Sequence, residues 1–454
     1  MRLVGGRWNA GQVTEAPPKA PLMSFWHDLP REGKLLLSVV VFEFIGTGLV
    51  LPFWVVYLHE VRGFSLSTSG LLLGIQPLTG LLAVGPGGAI IDRLGARRVL
   101  VTALLFVIAG EVVMAFAATV PVAALGMALS GLAFGVSWPA SQTMIATVVP
   151  SAIRQRYFGV NFSLLNLGIG LGGLIGGAWV DVGRTWTFQL VYLVDALTFL
   201  PSLFLLLVPL RHVAGRPEHD HDDDVPAASY REVLRLPGIP TLTLLTFVAS
   251  FVAYAQLNSG MPAYARFVSE VSTQGLGIAF ACNTLVIVLL QLVVLQRIEG
   301  RRRTRVMVVM ALIWAFAWLL MGASGLVPGT LGATVLIAAC ASVFALGETL
   351  LQPTMPAMTN DLTPDRLRGR TNALTSGAFQ LPMVLAPPVA GWLIDHELQG
   401  PYVALLVIGC VLVAVVSVVG LEPRITPAAN GINIPPEPDG PAPVPGPAVQ
   451  PAEL

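Results

Sequence analysis

Long continuous apolar stretches separated by short polar connections run from residue 34 to residue 421. They predict helices at 34–58, 68–91, 98–120, 122–148, 158–180, 186–209, 238–262, 273–295, 305–326, 329–358, 371–394 and 401–421. Each is about 20 residues or more, enough to cross a hydrocarbon core of roughly 30 Å as a helix. The apolar character is continuous and not alternating, which points to helices and away from the strands of a membrane barrel. Hydrophobic residues make up 54% of the 454 positions and charged residues 11%, a balance suited to lipid as the solvent. The expected fold is all-α and integral to a membrane. The first apolar run begins near Leu35, has full spanning length and follows no cleavage pattern, so it is read as an anchor.

Charge changes the picture by giving the spans a direction. The net charge is zero, yet with both termini placed in the cytoplasm only Arg62, Arg184 and Arg266 of the 26 basic residues fall on the outer side. The positive-inside rule therefore predicts cytoplasmic termini and an even number of spans. Cys282, Cys340 and Cys410 lie far apart within apolar spans, a pattern with neither disulfide nor metal-ligand spacing.

The chain also repeats itself. Pro139, Met144, Pro150, Arg154, Arg156, Gly177 and Asp181 recur 214 residues later as Pro353, Met358, Pro364, Arg368, Arg370, Gly391 and Asp395. Copies separated by six spans share one membrane orientation, the parallel repeat of a two-bundle transporter with a solute site between the halves. The expected organisation is a cytoplasmic segment 1–33, a six-helix bundle 34–209, a cytoplasmic linker 210–237, a second six-helix bundle 238–421, and a Pro-rich disordered cytoplasmic tail 422–454. The linker carries Glu218, His219, Asp220, His221, Asp222, Asp223 and Asp224. Such a run suits a solvated strip better than a metal site, because nothing in it fixes a ligand geometry.

Between the second and third spans lies Gly88-Ala-Ile-Ile-Asp92-Arg93-Leu-Gly95-Ala-Arg97-Arg98. This resembles the G-x-x-x-D-R-x-G-R-[RK] signature of the major facilitator superfamily. A degenerate echo, Arg297-Ile-Glu299-Gly300-Arg301-Arg302-Arg303, follows the eighth span. The resemblance implies a gate latch formed by Asp92, Arg93 and Arg97, with Gly88 allowing close helix packing and Gly95 a sharp turn. The alternative is a topological anchor. The fifth span holds Gly168, Gly170, Gly172, Gly173, Gly176 and Gly177 and is similar to the antiporter motif G-x-x-x-G-P-x-x-G-G of the drug:proton branch. Gly173 stands where that pattern has proline, and Met127 stands where the branch has a fourth-span arginine. Ordinary small-residue packing is the other reading of the glycines.

The charges deep within spans are Glu43, Glu111, Asp195 and Glu348, with no Lys or Arg among them. An ionised carboxylate in hydrocarbon is costly, so each is expected to spend part of its time protonated. The resemblance implies that spans 1, 4, 7 and 10 line the central cavity. Their polar residues do fall at helical spacing: Glu43 and Thr47, Trp138 and Gln142, Ser250, Tyr254 and Asn258, Glu348 and Gln352. Glu43 and Glu348 are the candidates for proton coupling and substrate binding. Hydrogen bonding to neighbouring helices is the competing role for both, and the favoured one for Glu111 and Asp195. Asp181 and Asp395, at outer helix ends, are read as structural.

An acidic, aromatic, amide-lined cavity without fixed cations suits a lipophilic cation and suits an organic anion poorly. The leading expectation is proton-coupled export of small lipophilic or cationic compounds by a monomer in the plasma membrane, with protons and the lipid bilayer as partners and no nucleic acid. Uptake or export of another solute, such as a sugar, metabolite, lipid or siderophore, is the nearest alternative; a non-transporting membrane sensor or assembly factor is a third. No phosphate-binding loop or nucleophile-base spacing marks an enzyme, and no cofactor is expected.

Overall fold

The computed structural model describes residues 26–213, 215, 230–298, 300–364 and 367–432. The expected N-terminal segment up to residue 25, the Glu218–Asp224 run, Glu299 and the tail from residue 433 lie outside the described residues, as do the side chains of Asp92 and Gln352. Among the described residues twelve helices are long and apolar enough to span a membrane. They are α1 (Arg31–Val61), α2 (Leu66–Leu94), α3 (Ala96–Ala115), α4 (Val120–Val148), α5 (Ser151–Trp179), α6 (Thr185–Leu207), α7 (Ile239–Phe267), α8 (Thr273–Ile298), α9 (Arg303–Ser324), α10 (Leu331–Asp361), α11 (Arg368–Asp395) and α12 (Gln399–Arg424). Several run past the expected limits. Hydropathy detects the part of a helix that faces lipid, whereas α5 continues back to Ser151 through polar turns bearing Arg154 and Arg156.

The pairings obey the repeat. In the first half α1 packs on α5 and α6, α3 on α4 and α6, and α2 on α4; in the second half α7 packs on α11 and α12, α9 on α10 and α12, and α8 on α10. Each pair of the first half maps onto its counterpart six helices later. The halves meet through α2 with α11 and α5 with α8, pairs that exchange under the same two-fold relation. These are two parallel six-helix bundles.

An even number of spans puts both ends of the bundle pair on one face, here called the terminal face; the opposite one is the distal face. Near the distal face the halves touch closely. A Cβ added at Gly74 of α2 would stand 2.8 Å from the Val384 carbonyl of α11, and one at Gly177 of α5 would stand 2.9 Å from the Thr273 carbonyl of α8. Towards the terminal face the same helix stripes separate. Leu78 and Leu82, one and two turns on from Gly74, are exposed, Leu82 by 67%. A side chain at Gly377 of α11 or Gly159 of α5 would meet nothing within 4 Å. Between α2, α7 and α11 an apolar recess of about 590 Å³ is lined by Leu81, Tyr230, Phe247, Leu374 and Leu381. The cleft between the halves is thus closed distally and widens towards the terminal face.

The leading helix of each half is broken at membrane depth. In α1 a 3-10 turn at Leu51–Phe53 precedes a π segment at Tyr57–Val61; in α7 the break at Ala253 precedes a π segment at Gln256–Gly260. Irregular backbone is tolerated at that depth because protein surrounds it, and Val56, Tyr57, Ala253 and Gln256 are all fully buried.

Each half is also fastened at its terminal face in the same way. After α6 the Gly215 carbonyl accepts from the Ala96 N–H at the start of α3, 2.9 Å. After α12 the Asn430 carbonyl accepts from the Arg303 N–H at the start of α9, 2.9 Å, while its side-chain oxygen accepts from the Thr304 N–H at 3.0 Å. Both straps satisfy helix N-terminal donors that the helix itself cannot. Residues 422–432 are therefore folded, and the expectation of a disordered tail is corrected for them: Glu422 pairs with Arg302 at 2.8 Å, and Asn430 is buried against Thr304. Asn430→Ala should lower stability by about 1 kcal/mol through the lost cap, read as a lower midpoint in a detergent thermal melt.

Candidate functional site

The site is built on the broken helix α7 and its neighbours. Tyr254 follows the Ala253 break, and its ring stands edge-on to Trp314 of α9, Phe344 of α10 and Phe379 of α11, with centroids 6.4, 6.2 and 5.4 Å away. Trp314 stacks on Phe344 at 5.3 Å and donates its indole N–H to the Phe344 carbonyl at 3.1 Å. One turn beyond Phe344 on α10, Glu348 hydrogen-bonds the Tyr254 side chain. Ser250 anchors the arrangement by donating to the Phe379 carbonyl, 2.6 Å. A half-buried carboxyl thus stands at the edge of an aromatic cluster in which Trp314 and Phe344 are fully buried and only Tyr254 and Phe379 are partly exposed, a setting in which a diffuse cation is attracted by the charge and by those two rings.

The expected residues divide between the halves. Tyr254 and Glu348 come together, with Asn258 half-buried one turn further along α7. Trp138 is 60% exposed on α4, and Gln142 is half-buried one turn on. Glu43 turns to α6, where its carboxylate accepts from Ser202 at 2.6 Å, and Thr47 donates back to the Glu43 carbonyl at 3.4 Å. Glu111 accepts from Ser130 of α4 at 3.0 Å. The aromatic partners Trp314, Phe344 and Phe379 are absent from the sequence expectation, because aromatic residues within apolar spans carry no directional signal.

In the loop motif, Gly88 lies within α2 and Gly95 makes the α2–α3 turn at φ +85°, a conformation that suits glycine. Arg97 donates to the Leu206 carbonyl at the end of α6, 3.3 Å, while Arg93 and Arg98 are exposed. In the fifth-span motif the glycines form two stripes on two faces of one helix. Gly168, Gly172 and Gly176 face α1: a Cβ at Gly168 would lie 2.8 Å from the Val41 carbonyl, and one at Gly176 2.8 Å from the Leu49 carbonyl. Gly173 and Gly177 face α8 across the halves, against Gly277.

Distal contacts between halves are polar as well. Arg266 at the end of α7 grips Glu60 at the end of α1 through two bonds, 2.8 and 2.6 Å, and donates to the Val271 carbonyl at 2.5 Å. Ser67 donates to Asp395 at 2.7 Å, and His59 meets Phe267 with ring centroids 4.6 Å apart. Sequence reasoning used Arg266 only as a topology marker and assigned Asp395 a structural place at a helix end. The opposite charges at the ends of the two leading helices were the available signal for the first pair.

The family model described as Major Facilitator Superfamily matches residues 36–344 and 270–446. The quinolone resistance protein NorA of Staphylococcus aureus (strain MRSA252) is 24% identical over 358 residues, covering 79% of this chain and 88% of that protein. An uncharacterized MFS-type transporter, YttB of Bacillus subtilis (strain 168), is 23% identical over 377 residues, covering 81% and 89%. The crystal structure of a D-xylose-proton symporter superposes with a TM-score of 0.67 at 16% identity, covering 88% of this chain and 99% of that one. With the loop motif, the paired bundles and a family match over most of its length, the chain belongs to the major facilitator superfamily of membrane transporters.

Proposed function

We propose that the protein is a proton-coupled secondary transporter that exports small lipophilic or cationic compounds across the plasma membrane by alternating access. The observation that carries this reading is the Glu348–Tyr254 pair set among Trp314, Phe344 and Phe379. A carboxylate beside the partly exposed rings of Tyr254 and Phe379 holds a lipophilic cation, and protonation discharges it and releases the cation, so proton and substrate exclude each other at one group. With the terminal face in the cytoplasm, the orientation expected from the distribution of basic residues, the cleft opens inward, where an exported compound is collected. The apolar recess beside α2, α7 and α11 suits solutes drawn from the inner leaflet. The printed name of the NorA relative, a quinolone resistance protein, agrees with export.

The reading is tested with purified protein in vesicles carrying an imposed proton gradient. Lipophilic cations such as tetraphenylphosphonium are expected to release protons in a protein-dependent way, and neutral sugars are not. A signal from sugars alone overturns the substrate class. In the same reading Asp92, Arg93 and Arg97 latch the terminal face when the cleft closes there. Asp92→Asn is expected to reduce transport severalfold at unchanged membrane insertion, measured as uptake per inserted protein; wild-type rates in this variant would remove the latch.

A further inference from the structure

The first half contains polar groups that neither the aromatic box nor the distal contacts use. Glu111 of α3, Asp195 of α6 and Tyr192 of α6 are 5%, 2% and 2% exposed. Glu111 Oε2, Asp195 Oδ1 and the Tyr192 hydroxyl are each buried without a hydrogen-bonding partner. They lie within electrostatic reach of one another, and Asp195 is also within reach of Glu43. The chain passes especially close at Gly46 of α1, where any side chain would run into the Asp195 carboxyl and Thr198. Unpartnered polar atoms at this depth are costly, and three converging from two helices are not explained by packing.

The surroundings define what the group can hold. The titratable and charged side chains facing it are Glu43 and Tyr57 from α1, Glu111 from α3, Tyr192 and Asp195 from α6, and Arg62 beyond the end of α1. Arg62 is the one cation among them, and it is engaged elsewhere. It donates to the Tyr57 hydroxyl at 2.5 and 2.8 Å and to the Ala115 carbonyl at 2.8 Å. Tyr57 in turn donates to the Met114 carbonyl at 2.7 Å and packs on Tyr192 with ring centroids 4.8 Å apart. Arg62 and Tyr57 therefore cap the column on its distal side, and Glu43 with Ser202 forms its other end. No cluster among the described residues has the donor set of a metal site. Two buried carboxyl groups within electrostatic reach of each other and paired with no cation cannot both be ionised at such depth, so the small cation held there is a proton.

We propose that Glu111 and Asp195 form a shared proton-binding site inside the first half, separate from the aromatic box and connected to the terminal side through Glu43. In the loaded pair both carboxyls are protonated. Loss of one proton leaves a single negative charge on the pair, with the remaining proton held by one carboxyl, and the released proton neutralises the Glu43 carboxylate. This rests on the proton-coupled reading above, and it places a coupling proton in the half opposite the substrate.

Two measurements test it, one of which needs no substrate. Infrared difference spectra of the purified wild type, Glu111→Gln and Asp195→Asn are recorded on a pH step. Gln at residue 111 retains an oxygen to accept from Ser130, which preserves that contact. Each variant is expected to lose or shift the same protonated-carboxyl band, since the pair releases one proton as a unit; a wild-type band unchanged in both variants overturns the site. In vesicles, both variants are expected to bind tetraphenylphosphonium within about twofold of wild type while substrate-driven proton release falls at least about tenfold. Unchanged release beside a working wild type overturns the coupling role and leaves the export reading standing. If wild type itself gives no release, the export reading fails, and the infrared result alone decides the site.

Discussion

Glu348→Gln is expected to abolish substrate-driven proton release while leaving the fold intact. Glutamine keeps an oxygen able to accept from Tyr254 and matches the carboxyl in volume, so the α7–α10 contact survives. It can neither carry the charge that attracts a cation nor exchange a proton. The lost charge-assisted interaction is worth about 1.5–3 kcal/mol, so lipophilic cations should bind roughly ten- to a hundredfold more weakly. Proton release in vesicles should fall by more than the binding loss alone explains. Binding by equilibrium dialysis and release by a trapped pH dye separate the two effects. If Glu348→Gln exchanges as well as wild type, the carboxyl in the aromatic box is not the exchange point.

Arg266→Gln is expected to loosen the distal closure. The guanidinium and its Glu60 partner are only 14% and 21% exposed, so the pair is shielded from solvent and breaking it strands a carboxylate. Full burial would make that loss about 3–5 kcal/mol; with the remaining exposure about 1.5 kcal/mol is the reasonable figure, a roughly tenfold shift in the balance between distally closed and open states. Spin labels at Arg184 and Leu326, exposed positions in distal connections of opposite halves, should show a larger long-distance population in Arg266→Gln. Exchanging the two residues, Glu60→Arg with Arg266→Glu, should restore much of the closed population. Equal distance distributions in wild type and Arg266→Gln would mean that the pair merely decorates a closure held by the glycine contacts.

The spans and the two-fold plan were legible in the sequence because lipid imposes a length and a composition on every crossing segment, and because duplicated halves keep their prolines and glycines in register. Pro139 with Pro353 and Gly177 with Gly391 were sufficient to pair the bundles. The rotation of each helix about its axis was much less legible. In a soluble helix the polar face marks the outside, but lipid and protein interior are equally apolar, so a span such as α9 carries no stripe to show that Trp314 faces Tyr254. For the same reason Glu43 could be placed on α1 by its number, while its turn towards Ser202 needed the packing of α6. Small residues were the better guide to direction: the two glycine faces of α5 each mark a close neighbour.

The matching straps at Gly215 and Asn430 make each half a ring fastened to itself, since the chain leaving the sixth helix returns to the turn between the second and third. Each ring is closed by contacts among the described residues on either side of the connection between them. A chain severed between residues 216 and 229 and produced as two coexpressed pieces should still be recovered as one complex through a tag on either piece. The covalent connection would serve chiefly to keep the two rings in equal number, and a gene encoding one ring twice would need no new folding solution to become a pair.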